Sequence, residues 1–419
     1  MNGLLKQALF NILFLMVLCS TMCAELKVGV GIKDLTPPIG TPSAGYFERE
    51  GNGMIGIHDP LLATALVIDN GSRIIAFCSV DHMGFLYGMT QQVINKVQSH
   101  PQLQKCEIFI GSSHTHSGGG AYFDIPIVGE MIAGPYDEKI TQFYINTTAD
   151  AIIEAFHNLQ PAKVGIGYGQ TKGLNSYNGV WPKEMPAPSD ITIIKATKLD
   201  GSPLAVFFNT SIYPAILEGD NMLFSADVVG YIRQHLSSLL GKNAIPVFFN
   251  GTLGDIETNT PNASDRFESC NIIGKAVAQT IAEIWNTTNT ANKMEIAIFR
   301  DNYLFEPKPT LSGFQIPTDP APTEINLIVL NRSDAFVTIP AELSCVYESI
   351  FKEQGKKLRF KHITISNLVN DAHGYIYTPE AWQLNPPESN FSFGGEMYGQ
   401  LVEDKVLKLM TTASKEKNY

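Results

Sequence analysis

Ile108-Phe-Ile-Gly-Ser-Ser-His-Thr-His-Ser-Gly-Gly-Gly120 begins as an apolar run and ends in a loop of serine, histidine and glycine. A short apolar run closed by turn residues reads as a buried strand. A polar cluster directly after such a strand is where open α/β sheets place their sites. The pattern recurs around other strand-like runs. Ile57-His-Asp-Pro60 precedes 61–68, Asp81-His82 closes 74–80, and Asn250-Gly-Thr-Leu-Gly-Asp-Ile-Glu-Thr-Asn259 follows 246–249. Further strand-like runs fall at 26–32, 163–168, 191–197, 204–209, 295–299, 324–331, 335–339 and 359–367. Helical patterns lie between them at 89–97, 138–157, 226–239, 265–284, 342–353 and 396–410. In Glu138–His157, for example, Ile140, Phe143, Tyr144, Ala151, Ile152 and Phe156 recur near a 3.6-residue period. Leu199-Asp-Gly-Ser202 between two apolar runs is a hairpin signal. Hairpins mixed with strand–helix–strand crossovers predict an α/β protein, with mixed central β-sheets flanked by helices.

An apolar content of 44% with 17% charged residues is that of an ordinary globular protein, which excludes a disordered or fibrous chain. The net charge of −11 argues against nucleic acid and anionic headgroups as main partners, since both reward surplus Lys and Arg. The run Ala8–Ser20 is too short to span a membrane comfortably and is followed at once by Thr-Met-Cys-Ala-Glu25. Residues 1–24 therefore read as a signal peptide and the protein as secreted or periplasmic, with an uncleaved anchor or a lipoprotein as the alternatives. Export leaves Cys78, Cys106, Cys270 and Cys345, which allow three disulfide pairings or free buried thiols. Proline-rich stretches at Trp181–Pro188 and Glu306–Thr323 read as long surface loops, but no repeat or linker divides the chain. A single domain over residues 25–419 is expected.

His114 and His116 are the sharpest chemical signal. In an extended loop, residues i and i+2 face the same way, and neutral imidazole is the commonest metal ligand. The glycines that follow allow backbone to approach a bound group closely. Around this loop, His58, Asp81, His82, Asp227 and Asp255 form a second circle of polar residues. Asp227 and Asp255 are read as groups that orient others, and His82 and His373 as spare imidazoles.

The ordered company of these motifs resembles the neutral/alkaline non-lysosomal ceramidase family, in its N-terminal catalytic domain. The resemblance is carried by Gly29-Val-Gly-Ile-Lys-Asp-Leu-Thr-Pro-Pro38, His58-Asp-Pro-Leu-Leu-Ala-Thr-Ala-Leu-Val-Ile-Asp69 and Ser113-His-Thr-His-Ser-Gly118. It continues through Ser225-Ala-Asp-Val-Val-Gly-Tyr231, Gly254-Asp-Ile-Glu-Thr-Asn259, Ile339-Pro-Ala-Glu342, Asn370-Asp-Ala-His-Gly-Tyr375 and Phe393-Gly-Gly-Glu-Met-Tyr398. All stand in family order from about residue 26 to 412, with nothing matching the C-terminal immunoglobulin-like domain of the long ceramidases. The resemblance implies one zinc ion and hydrolysis of the amide of an N-acyl sphingoid base. It also implies His114, Glu342 and Tyr375 as zinc ligands, with His116 contacting substrate and moving protons.

Two positions depart from the family. Tyr213 stands where the second zinc histidine is expected, so it enters the ligand set as a phenol. Glu257 stands where the active-site serine is expected, with Thr258 after it. A tyrosine ligates only as phenolate, whose free pKa near ~10 the metal must lower. Glu257 could act as general base, ligand or substrate contact, and with His116 and Asp255 completes the catalytic candidates. The expected activity is a metal-dependent amidohydrolase acting on an N-acyl lipid or related compound, with peripheral membrane contact for access. A non-catalytic binder with a degenerate metal site, or a hydrolase of another ester or amide, are the alternatives.

Overall fold

The computed structural model describes residues 25–177 and 187–416. The signal-peptide reading and most of the Trp181–Pro188 loop lie outside these residues. Each strand-like run of the sequence becomes a strand, organised in two mixed sheets. The larger has eight strands: β1 (Lys27–Asp34), β2 (Leu62–Asp69), β3 (Ile74–Val80), β4 (Cys106–Ser112), β5 (Gln160–Gln170), β6 (Asp190–Lys198), β7 (Pro203–Thr210) and β8 (Ile245–Asn250). Their spatial order is β8-β7-β6-β5-β1-β2-β3-β4. The smaller, in order, holds β9 (Ile296–Phe305), β10 (Ala321–Leu330), β11 (Asp334–Ile339) and β12 (His362–Asn367).

Within these two sheets most neighbours are antiparallel, but three pairs run parallel: β3 with β4, β7 with β8, and β11 with β12. Parallel neighbours need a crossover, and helices supply it. The helices α1 (Tyr87–Gln98), α4 (Val228–Leu240) and α6 (Val346–Lys357) lie within these three connections. The crossovers leave the C-terminal ends of both strands in a pair side by side, and those six ends carry the polar motifs.

The helices cover the outer faces. Helix α3 (Glu138–His157) lies on β1 and β2, and packs on α1. It approaches so closely that a Cβ on Gly29 or Gly31 would fall 2.0 or 2.2 Å from the backbone oxygens of Ala155 and Ala151. Helices α4 and α5 (Arg266–Thr287) pack together over the β5–β8 half, and α6 with α7 (Tyr398–Lys415) covers the smaller sheet. A short helix that periodicity did not reveal, α2 (Val128–Ala133), precedes α3. Inside, Phe77, Phe109, Phe207, Phe249 and Phe336 form the fully buried centre shared by the two sheets.

The ends of the large sheet come together. Gly111 of β4 faces the Phe249 ring of β8, where an added Cβ would lie 2.9 Å from ring carbons. Beyond it the Asn250 amide donates to the Ser113 carbonyl at 3.2 Å. The chain leaving β12 then seals the outer side of β4: Ser112 N–H donates to Leu368 O, and Asn370 N–H to Ile110 O. The Asn370 side chain accepts from Ile110 N–H at 2.7 Å and donates to Ile108 O at 3.1 Å.

Two sequence expectations change. The helix expected over 342–353 begins at Val346, because Glu342–Leu343 pairs in parallel with Tyr375–Ile376 instead. The 306–323 stretch is not bare loop: Thr310–Leu311 pairs with Phe314–Gln315 and buries Leu311. Of the alternatives open for the cysteines, the four in the described residues take that of buried free thiols. No helix among the described residues is long and apolar enough to cross a membrane.

Candidate active site

His114 follows β4 with φ +69° rather than the extended backbone expected of it. A left-handed non-glycine residue costs about 1–3 kcal/mol, and two contacts hold it there. Its N–H donates to the His82 carbonyl at 3.0 Å, and Nδ1 lies 2.8 Å from the Met83 carbonyl. A carbonyl can only accept, so Nδ1 carries a proton, and in the neutral ring Nε2 presents a lone pair to the interior. His116 is fixed by its backbone. Its N–H donates to Pro214 O, while its carbonyl accepts from the Arg49 guanidinium and the Ser43 hydroxyl. The two rings lie 4.8 Å apart at 76°, with the Nε2 atoms 3.3 Å apart.

Glu342 reaches the same point from the smaller sheet. The short parallel bridge sets it directly opposite Tyr375, and its N–H donates to the Gly374 carbonyl. Glu342 Oε2 lies 3.2 Å from His114 Nε2. It is buried with no hydrogen-bond donor, as is His116 Nδ1. Tyr213 arrives from the end of β7, its ring edge-on to His114 at 5.2 Å and its hydroxyl 2.6 Å from that of Tyr375. His114, His116, Tyr213, Glu342 and Tyr375 thus line one cavity of about 200 Å³. Its other wall is apolar, with Phe47, Leu86, Phe123, Ile132, Phe391 and Phe393.

Burial alone would depress the His114 pKa, but the adjoining Glu342 carboxylate and the Met83 carbonyl outweigh it and raise the pKa. His116 is driven well below the usual histidine range by burial first, then by the positive charges of His114 and Arg49. Both phenols are pushed well above theirs, by burial and then by the Glu342 carboxylate. Without a cation they are neutral hydroxyls, one donating to the other.

These donors fit a cation in part. Two ligands 2.0–2.1 Å from a tetrahedral zinc lie roughly 3.3 Å apart. The His114–Glu342 and His114–His116 separations of 3.2 and 3.3 Å match that spacing. A lone pair facing a buried carboxylate oxygen also needs a proton or cation between them. At 2.6 Å, however, the phenol oxygens are hydrogen-bonded rather than spaced as two ligands of one ion. No three His, Cys, Asp or Glu side chains are gathered as a metal group among the described residues. A phenol or water would have to complete the set.

The remaining candidates divide. Asp255 is buried but does not line the cavity; its carboxylate accepts from the Ser344 hydroxyl and from Cys345 N–H at 2.9 Å. It therefore clamps the turn after Glu342. Glu257, expected among the catalytic groups, is exposed on the short strand Ile256–Thr258 and is not among the cavity-lining residues. Strand alternation explains it: Glu257 points out, while its neighbour Thr258 turns in and accepts from Tyr213 N–H at 2.8 Å. His58 binds the Tyr231 hydroxyl and stacks on Phe267, away from the cavity. Asp81 pairs with buried Arg233. Asp227 caps α4, accepts from Leu217 N–H, and is raised to about 6 by burial. His82 binds the Gly84 carbonyl through Nδ1 and is not among the cavity-lining residues, while both ring nitrogens of His373 are engaged, with Asp371 and Tyr398.

Sequence reading missed Arg49. In the polar stretch Phe47-Glu-Arg-Glu-Gly51 it looks like a surface residue, yet it is 3% exposed. It donates to His116 O, Gly219 O, Glu218 O and Ser43 Oγ. No periodicity or motif marks it; only the folded loop supplies those carbonyls.

A mixed α/β fold with a buried His/Glu/Tyr cavity at strand C-termini defines the class. Residues 26–179 match the sequence profile of the neutral/alkaline non-lysosomal ceramidases, N-terminal. Over 294 residues the chain is 25% identical to the neutral ceramidase of Drosophila melanogaster, covering 64% of this chain and 41% of that protein. Over 298 residues it is 26% identical to the neutral ceramidase of Drosophila pseudoobscura pseudoobscura, with the same coverage. The match thus spans about two fifths of the length of these relatives. In three dimensions the chain superposes on the crystal structure of neutral ceramidase from Pseudomonas aeruginosa. The TM-score is 0.83 at 14% identity, over 94% of this chain and 75% of that one. A ceramidase complexed with C2 gives 0.82 at 14% identity, over 94% and 76%. The chain is thus similar in sequence to the neutral/alkaline non-lysosomal ceramidases over residues 26–179, and it shares the fold of the solved neutral ceramidases.

Proposed function

We propose that this protein is an exported, zinc-dependent amidohydrolase that cleaves the amide of an N-acyl compound of the N-acyl sphingoid type. The observation that carries the reading is the meeting of the His114 lone pair and the Glu342 carboxylate at 3.2 Å in a buried cavity with one apolar wall. The ceramidase relatives supply the bond type, and the apolar run before Glu25 supports export. His114, Glu342 and one phenol of the Tyr213–Tyr375 pair would hold the ion. When bound, zinc would polarise the acyl carbonyl and acidify water.

The chain's own groups do the rest. Neutral His116 has a lone pair to receive a proton from water and can return it to the departing amine. The phenol of the tyrosine pair that does not hold the ion keeps its proton, which it can turn from its partner's oxygen toward an acyl oxygen. The aromatic wall excludes water and takes the acyl chain. Phe47, part-exposed where it lines the cavity, would meet a lipid presented from a membrane surface.

Elemental analysis of the purified protein, joined to hydrolysis of a panel of N-acyl and ester substrates with and without chelator, tests this. One zinc per chain and chelator-sensitive amide cleavage are expected. A folded protein that binds the lipid but neither holds metal nor cleaves it would make the chain a binding relative instead.

A further inference from the structure

We propose that Asp371 is a positioning residue that joins the two halves of this cavity, an inference that rests on reading the His114–Glu342 cluster as a catalytic centre. His114 takes its orientation from the turn after β3, through the His82 and Met83 carbonyls. Glu342 and Tyr375 take theirs from the bridge between 342–343 and 375–376. One carboxylate touches both structures.

Asp371 Oδ1 accepts Tyr87 N–H at 3.0 Å, across 284 residues of sequence, and Ala372 N–H at 2.9 Å. Tyr87 opens α1, whose N-cap Leu86 offers no side-chain oxygen. A helix start leaves N–H groups without partners, and here a distant carboxylate fills the role of the cap. That helix start lies at the end of the turn whose Met83 and Leu86 line the cavity.

Asp371 Oδ2 accepts from the Thr323 hydroxyl at 3.0 Å and from His373 Nε2 at 2.7 Å. His373 Nδ1 meets the Tyr398 hydroxyl at 2.7 Å, and Tyr398 meets Tyr303, again at 2.7 Å. A neutral His373 protonated at Nε2 satisfies the series: Nε2–H to Asp371, Tyr398 O–H to Nδ1, and Tyr303 O–H to Tyr398. Its ring stacks on Phe305 at 3.8 Å and 7°. The imidazole two residues before Tyr375 is therefore fully engaged. It pins the 371–375 segment to β9 and α7, while Asp371 pins the same segment to the His114 side. Asp371 adds a direct side-chain tie to the Leu368 and Asn370 bonds that join this segment to β4, so a shift of the turn after β3 is transmitted through it to the 371–375 segment.

Asp371→Asn tests this, since it keeps the shape but leaves one oxygen and turns an amide toward a donor. In the full-length protein, hydrogen exchange read by mass spectrometry is expected to quicken at least tenfold in peptides covering both 82–86 and 372–376. Peptides from α4 and α5 should exchange as in the parent. Zinc titrated calorimetrically onto metal-free protein should bind roughly ten- to a hundredfold more weakly, the usual effect of losing an outer partner. His373→Gln, whose amide replaces Nε2 and keeps the Asp371 bond, should retain more zinc affinity and protection than His373→Asn, which keeps only the Tyr398 side. Exchange confined to 372–376, or unchanged in both segments, overturns the inference. Should the parent bind no zinc, the metal reading falls alone and the exchange result still decides this one. Should Asp371→Asn not fold, the two His373 variants decide by the same readout.

Discussion

At His114 a left-handed backbone and two carbonyls determine which nitrogen faces the cavity. His114→Ala removes the lone pair that meets Glu342, so bound zinc and hydrolysis should vanish together. Elemental analysis beside an amide assay checks this, and retained stoichiometric metal would count against the site. Tyr213→His replaces a neutral phenol with an imidazole and breaks the 2.6 Å hydroxyl pair. Zinc affinity should rise about tenfold or more, since imidazole needs no deprotonation to ligate; calorimetry showing no gain would remove Tyr213 from the ligand set. His82 makes a separate prediction about pH. Burial lowers its pKa from 6.5 to about 4, so between those values the unfolded chain takes up a proton that the folded chain refuses. Stability must fall as pH drops through that window, by as much as about 3 kcal/mol. His82→Asn leaves a donor for the Gly84 carbonyl and removes the titration. Its urea-unfolding free energy should therefore change less between pH 7 and pH 4 than the parent's, and an unchanged slope would contradict the assignment.

Among the elements, strand alternation accounts for Glu257. Its outward position predicts that Glu257→Gln leaves kcat and KM within about twofold of the parent, checked on whichever N-acyl substrate is cleaved. Strands and long helices were legible because each carries its own period: β3 matches the expected 74–80 and α3 the expected 138–157. What was not legible depended on pairing partners far away in sequence. Glu342 looked like the first residue of a helix until Tyr375 drew it into a bridge. The His-x-His loop looked extended until carbonyls at 82 and 83 turned it. Arg49 and Thr258 carry no motif, since their roles exist only as hydrogen bonds to loops from other parts of the chain. The same closeness gives Gly111 a measurable role: Gly111→Ala drives a methyl toward the Phe249 ring and should cost about 1–3 kcal/mol in denaturant unfolding.

At the scale of the whole molecule, charge agrees with the shape of the cavity. Among its described lining residues the carboxylates are Glu342, which bound zinc would neutralise, and Glu388, and no Lys or Arg is among them. The chain as a whole carries −11. An N-acyl amino acid with a free carboxylate should therefore show a kcat/KM at least tenfold below that of a neutral N-acyl amino alcohol of equal chain length. Equal values would assign substrate choice to the acyl wall alone. The three parallel strand pairs have a wider consequence. Their ladders are held by backbone and by buried aliphatic and aromatic side chains, whereas the chemistry hangs from the tips. Side chains at those tips could be exchanged while the frame beneath continued to assemble unchanged.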